Sequence, residues 1–257
     1  MSPDGIPLIC GGCIGTETSC SYSDKCYKYV PEADSWEESG NMSDTKSGVA
    51  SDYTDDFGFA LVDVLDPLEV TRDGVHFELL ADFPNPDATA AYDAGCLVIV
   101  DEDSLFLATN YRSKSYMYSK TQDTWRELPD KPPGGSWGDG HSCGIVDSFD
   151  GLGKDIVVTG AGGGQTEEVY MFNVDSETWR EGDWLSPTVT NAYSVRYQDS
   201  FVLVGGVWDS VSSWYDTLLQ YIPTENGTWV ELPGKLKVAR EPAAAIVVDR
   251  SIFPPCP

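Results

Sequence analysis

Histidine is nearly absent from this 257-residue chain, which has only His76 and His141. Zinc and copper clusters need several imidazole or thiolate ligands in one place, so the shortage argues against such a centre, and no cofactor is expected. Basic residues are also scarce: 16 Lys and Arg stand against 42 Asp and Glu, a formal net charge of −26. That field repels phosphate backbones and anionic headgroups, so nucleic acid and acidic membrane surfaces are not expected partners. No apolar run approaches the roughly 20 residues that span a bilayer, and membrane insertion is not expected either. The opening Met1-Ser2-Pro3-Asp4-Gly5 has no basic or apolar leader; either the chain is not exported or this is a processed form. Helical periodicity is missing too. No segment sustains a 3.6-residue apolar period with caps, so almost no helix is expected.

What is present fits a packed, exported body. Hydrophobic residues make up 41% and aromatic residues 12% of the chain, too much for an acidic disordered tail. Seven cysteines, four of them between Cys10 and Cys26, suit an oxidising compartment. Two glycosylation sequons, Asn41-Met42-Ser43 and Asn226-Gly227-Thr228, agree with extracellular localisation. Cys20 and Cys26 flank a short loop and are expected to pair, with Cys256 reaching back to Cys10 or Cys13. Cys96 and Cys143 read as buried free thiols, and sequence alone leaves the connectivity open.

An internal repeat organises the chain. An aromatic residue, six intervening positions and a tryptophan recur at Tyr29 to Trp36, Tyr118 to Trp125 and Phe172 to Trp179. Tyr221 to Trp229 repeats this with one insertion, and Val70 to Phe77 fits with other hydrophobes in both places. The anchors Trp36, Phe77, Trp125, Trp179 and Trp229 are 41, 48, 54 and 50 residues apart, the period of a propeller blade. Hairpin-turn residues such as Val174-Asp175-Ser176-Glu177 lie within each frame. Upstream, apolar runs end in paired glycines at Gly11-Gly12, Gly162-Gly163 and Gly205-Gly206.

On these residues the chain resembles the kelch-repeat family. The resemblance implies an all-β, kelch-type β-propeller of five four-stranded blades, one domain over residues 1–257. Paired glycines would end each second strand, and the Tyr and Trp would sit on the third and fourth strands, wedged between blades. Units two and three depart from the pattern, with Val64-Leu65 and Thr109-Asn110 where the glycines belong. Strand counting makes Ile6–Cys10 a second strand and Ala243–Val248 a first strand. The terminal strands are therefore expected to pair and close the ring, which removes two sheet edges. A six-bladed ring lacking one blade is the structural rival.

Loops joining strands two to three and four to one share one face. Trp137 and Trp184 fall in four-to-one loops, Trp208 and Trp214 in a two-to-three loop and Tyr111 in another, with Arg112, His141 and Arg240 nearby. Rigid rings in loops give contact area at little entropy cost, so this face is the candidate surface for a protein or glycan partner. The plain alternative is that the rings pack under their own loops. The opposite face is acidic, with Asp147, Asp150 and Asp155 around Gly151 and Gly153 as the densest cluster. Such oxygens fit weak calcium binding. Without an Asp-x-Asp-x-Asp-Gly loop, and because Asp favours hairpin turns, a solvated face is the leading reading.

Enzyme signatures fail on context. Gly134-Gly135-Ser136-Trp137-Gly138 matches a nucleophile elbow, but Pro132-Pro133 precedes it and a strand, not a helix, follows. Cys10-Gly11-Gly12-Cys13 has redox spacing at a strand end with no helix to lower a thiol pKa. Galactose-oxidase-like enzymes hold copper on a kelch propeller with two histidines and a modified tyrosine. Here His76 lies on an outer strand and His141 on an inner one, too far apart for that chemistry. The expectation is a non-enzymatic, secreted binding module. The alternatives are a glycan hydrolase with paired carboxylates and a calcium-linked acidic matrix or storage protein.

Overall fold

The computed structural model describes residues 5–16, 19–46, 50–62, 67–83, 94–109, 114–131, 140–159, 167–186, 188–208, 213–240 and 245–248. Among them are 22 strands and no helix. Sheet one holds β1 (Leu8–Cys10), β2 (Cys13–Thr16), β3 (Ser19–Val30) and β4 (Ser35–Lys46), with β3 paired to the other three. Sheet two is β5 (Ala50–Thr54), β6 (Gly58–Val62), β7 (Pro67–Thr71) and β8 (Phe77–Asp82). Sheet three is β9 (Ala94–Ile99), β10 (Ser104–Thr109), β11 (Ser115–Ser119) and β12 (Thr124–Glu127). Sheet four is β13 (Ser142–Asp147), β14 (Lys154–Thr159), β15 (Val169–Asn173) and β16 (Thr178–Glu181). Sheet five begins with β17 (Tyr193–Tyr197) and β18 (Ser200–Val204). The chain then makes a separate ribbon, β19 (Val207–Trp208) with β20 (Ser213–Trp214), before returning as β21 (Leu218–Ile222) and β22 (Thr228–Glu231).

The repeated aromatic frame has a local cause. Tyr29 lies opposite Trp36, Tyr118 opposite Trp125, Phe172 opposite Trp179 and Tyr221 opposite Trp229 on adjacent antiparallel strands. Two positions before each Trp the backbone enters the left-handed region, at Asp34 (φ 47°), Asp123 (φ 48°), Glu177 (φ 53°) and Gly227 (φ 77°). Asp tolerates that conformation, and its carboxylate here also accepts the ring hydroxyl. Tyr118 Oη donates to Asp123 Oδ1 at 2.7 Å, and Tyr29 Oη to Asp34 Oδ1 at 2.5 Å. Ring centroids sit 5.0 to 5.5 Å apart, a geometry that adds about 1 kcal/mol per pair beyond area burial. Unit two breaks the register: Thr71, not Val70, faces Phe77. The reason is a tight turn in which Asp73 Oδ1 accepts the backbone N–H groups of Val75 and His76.

Two of these tryptophans then bond the preceding sheet. Trp125 Nε1 donates to the Ala81 carbonyl at 3.1 Å, and Trp179 Nε1 to the Pro129 carbonyl at 2.8 Å. Successive sheets bury shared cores in chain order. Leu61 meets Cys26 and Met42 between sheets one and two. Phe57 and Leu68 meet Leu107 and Tyr118 between two and three, Phe106 meets Ile156 and Phe172 between three and four, and Met171 meets Phe201 and Tyr221 between four and five. Face-to-face packing of consecutive four-stranded sheets is a propeller-like arrangement. Sheets one and two are joined by a fully buried ion pair, Lys46 to Glu69 at 3.2 Å, with Ser43 donating to Glu69 through both N–H and hydroxyl. A buried charge needs that satisfaction to be tolerated.

The fifth-to-first seam differs from the other four. Among the described residues no hydrogen bond or ion pair joins sheet one to sheet five, and Trp36 is 44% exposed. Of the expected closing strand, residues 245–248 carry no strand, and 243–244 lie outside the described residues. Ala245, Ile246 and Val247 nonetheless line a cleft with Leu8 of β1 and Tyr193–Arg196 of β17.

Cysteine pairing departs from expectation. Cys26 bonds Cys10, not Cys20, because β1 and β3 are neighbours with the two cysteines opposite in register and Cα atoms 4.1 Å apart. That leaves Cys10 unable to take Cys256, which lies outside the described residues. Cys96 and Cys143, expected as free thiols, are joined. They stand on β9 and β13, strands that pack side by side in adjacent sheets, so the bond staples sheet three to sheet four. Two disulfides are consistent with an oxidising, extracellular setting. The Cys96–Cys143 bond closes a 47-residue separation; by chain entropy Cys96→Ala with Cys143→Ala should cost roughly 4 kcal/mol. Urea unfolding of the two forms measures this, and equal stabilities would refute the staple.

Candidate functional site

Between β18 and β21 the chain of sheet five forms a separate two-stranded ribbon. Gly205 and Gly206, both with positive φ (60° and 105°), turn the chain out of β18. A Cβ on Gly206 would fall 2.7 Å from the Thr190 carbonyl, so only glycine permits the approach. Thr190 and Val207 then exchange both backbone hydrogen bonds, each at 2.9 Å. Val207 pairs in turn with Trp214, and Trp208 with Ser213. On the far side the Arg240 carbonyl accepts the Gly206 N–H at 3.0 Å, and the Arg240 N–H donates to Tyr215 at 3.1 Å. Alternation sends Tyr215 into the core shared by sheets four and five and leaves Trp214 64% exposed. Covering such a ring would return roughly 2 kcal/mol.

The structure gathers some of the sequence-predicted residues and separates others. Trp208, Trp214 and Arg240 come together through the ribbon's backbone bonds, and Arg240 is exposed. Trp184 is 69% exposed but follows Asp183, whose N–H donates to Asn226 in the outer turn of sheet five at 2.7 Å. Its loop bonds the ribbon at Thr190. His141, expected on the surface, is buried instead, packed against the Gly95 backbone of β9, where a glycine leaves room for the imidazole. Trp137, Tyr111 and Arg112 lie outside the described residues, as does the Cys20 side chain. Both sequon asparagines are exposed; Asn41 Nδ2 donates to Asp24 at 3.0 Å, and Asn226 sits in a turn.

Comparison with known proteins bears on the fold alone. No family model matches the chain, and no curated protein matches it. A solved structure titled "Structure of YjhT" superposes with a TM-score of 0.70 over 90% of this chain and 82% of that one, at 11% identity. At that identity the likeness carries the shape and nothing of the chemistry.

Sequence reasoning missed an axial cluster on the inner strands. Arg196 of β17 reaches Asp52 of β5 at 2.7 Å and also donates to the Ile99 carbonyl of β9, while Asp52 accepts the Ile99 N–H at 2.8 Å. Ser51 and Tyr193 hydroxyls meet at 2.8 Å. Asp52 is thereby held by a cation and an amide rather than left open for acid or base chemistry. The available signal was polar residues in positions where inner strands otherwise run apolar. The acidic face is equally committed. Asp155 is buried, paired with Arg180 and bonded by Asn173, and Asp150 Oδ1 accepts the Leu152 N–H of its own turn. Among the described residues no group of three His, Cys, Asp or Glu could hold a metal ion.

Lys131 is buried between sheets three and four with Nζ 4.5 Å from the Tyr170 ring centroid, and Tyr170 Oη donates to Glu168 at 2.9 Å. Burial pushes the Lys131 ammonium down to about 8, partly countered by Glu168. A depressed lysine binds fewer protons folded than unfolded between that value and its ordinary 10.5. Stability should therefore rise with pH across this window, by up to about 1.4 kcal/mol per unit. Lys131→Met should flatten the rise in urea midpoints measured from pH 7.5 to 10; an unchanged slope would assign it elsewhere.

Proposed function

We propose that the chain is a non-enzymatic recognition module of the kelch type, secreted, that binds a protein or glycan through the aromatic ribbon over sheet five. Trp214 carries the proposal: it is 64% exposed on a ribbon that six backbone hydrogen bonds and pairings hold from both sides. A preordered ring loses little entropy on binding, which is what makes Trp effective at recognition sites. Exposed Arg240 beside it adds a planar donor for carboxylate or hydroxyl groups. Burial of His141 supports a non-catalytic reading, since a base for the Ser136 elbow would need access to substrate.

In this reading the scaffold is a five-bladed propeller whose Ala245, Ile246 and Val247 line the cleft between β1 and β17. The two disulfides and the exposed Asn41 and Asn226 support a glycosylated, exported form. Arrays of glycans and extracellular proteins probed with wild type and with Trp214→Ala test the site. Loss of at least about tenfold in affinity is expected for hits in the variant, from one buried aromatic anchor. Hits retained at full strength would remove the ribbon from recognition.

A further inference from the structure

The second face of sheet five suggests a separate ligand site. Along β18, Phe201 and Leu203 point into the core shared with sheet four, so Val202 and Val204 face the other way. In sheets two, three and four that second face is covered by the next sheet. On sheet five it opens instead onto a cleft of about 630 Å³ between the sheet and the chain's own 232–240 and 245–247 segments. Val195, Val204, Leu218, Leu232, Leu236 and Ile246 form its apolar walls. The volume falls within the usual range for organic ligands.

Charge decides the kind of ligand. The chain has 42 carboxylate side chains, yet among the described residues none lines this cleft, and the cations that do are Lys237 and Arg240. Elsewhere Lys25, Lys46, Lys114, Arg126, Arg180, Arg196 and Lys235 each form a salt bridge, and Arg72 and Lys154 bond backbone carbonyls. Among the described residues Lys237 and Arg240 have no carboxylate partner, and Arg240 Nε donates only to the Val238 carbonyl at 3.3 Å. Two uncompensated cations at the mouth of an apolar cleft are complementary to a molecule with a hydrophobic body and one anionic head. The acidic remainder of the protein opposes such a ligand weakly, because charges beyond about 8 Å are screened at physiological salt.

We propose that this cleft binds an amphipathic organic anion of the long-chain carboxylate class, its chain against Val204, Leu218 and Leu236 and its head on Lys237 and Arg240. The cleft shares Arg240 with the ribbon surface but does not rest on that reading, and its tests use Lys237 and Leu236. The fluorescent probe anilinonaphthalene sulfonate, titrated into the intact protein and displaced with dodecanoate or uncharged dodecanol below their aggregation limits, tests it. Dodecanoate should displace the probe at least about tenfold more effectively than dodecanol, the worth of a charge-assisted pair. Lys237→Gln should remove most of that preference while leaving dodecanol unchanged, and Leu236→Trp, which fills the cleft, should abolish both. Circular dichroism checks that the variants fold; if Leu236→Trp does not, the comparison of dodecanoate with dodecanol decides alone. Equal displacement by acid and alcohol, or no probe binding, would overturn the proposal.

Discussion

The structure depends on one joint used repeatedly: an aromatic ring on the third strand of a sheet, a tryptophan opposite it on the fourth, and a left-handed turn residue between. The turn sets the register, the register stacks the rings, and in sheets three and four the indole N–H then finds a carbonyl on the sheet before. In Trp125 and Trp179 the chain is complete, from Asp123 or Glu177 through the ring pair to Ala81 or Pro129. A local backbone preference thus becomes a contact between sheets. The period of the repeat fixes the size of each sheet, and the indole bond fixes which neighbour it packs on.

Where the joint is incomplete, the molecule changes character. Trp36 has its ring partner Tyr29 and its turn residue Asp34, but the sheet it should reach is sheet five, across the seam. There β22 carries Val230 where β12 and β16 carry Arg126 and Arg180, which bridge to Glu177 and to the Glu225 carbonyl of the following sheet. At Val230 an apolar residue stands where the other two sheets carry a cation that bonds the next sheet. Ile9, Trp36, Val230, Val238, Ile246 and Val247 are all exposed. The same absence that weakens closure leaves the cleft on sheet five open.

Disulfide and axial contacts offset this openness from inside. Cys96–Cys143 ties the inner strands of sheets three and four, and Arg196 with Asp52 ties sheet five to sheet two across the axis. These links hold the inner ends of the strands while the outer ends are held by the aromatic joints. A scaffold held at both ends can present loops on one face without relying on them for its own stability, which suits the ribbon that displays Trp214.

The fold was legible because its signals are local. Ring spacing, turn residues and paired glycines are read along the chain within ten residues of each other, and they placed the third and fourth strands of units one, three, four and five. Unit two slipped by one residue, since the Asp73 turn is a side-chain effect that spacing does not record. The candidate site was half legible: Trp208, Trp214 and Arg240 share a ribbon, whereas His141 went inside because Gly95 on another strand leaves a place for it. Cys26 chose Cys10 over the nearer Cys20 for the same kind of reason, a partner brought opposite by strand pairing. Sequence by itself determined the repeating unit and its number, through backbone preferences and periodic burial that each segment expresses alone. Tertiary structure decided which cysteines bond, which polar residues meet on the axis and which face is left uncovered, because those depend on distances between segments that are remote in the chain.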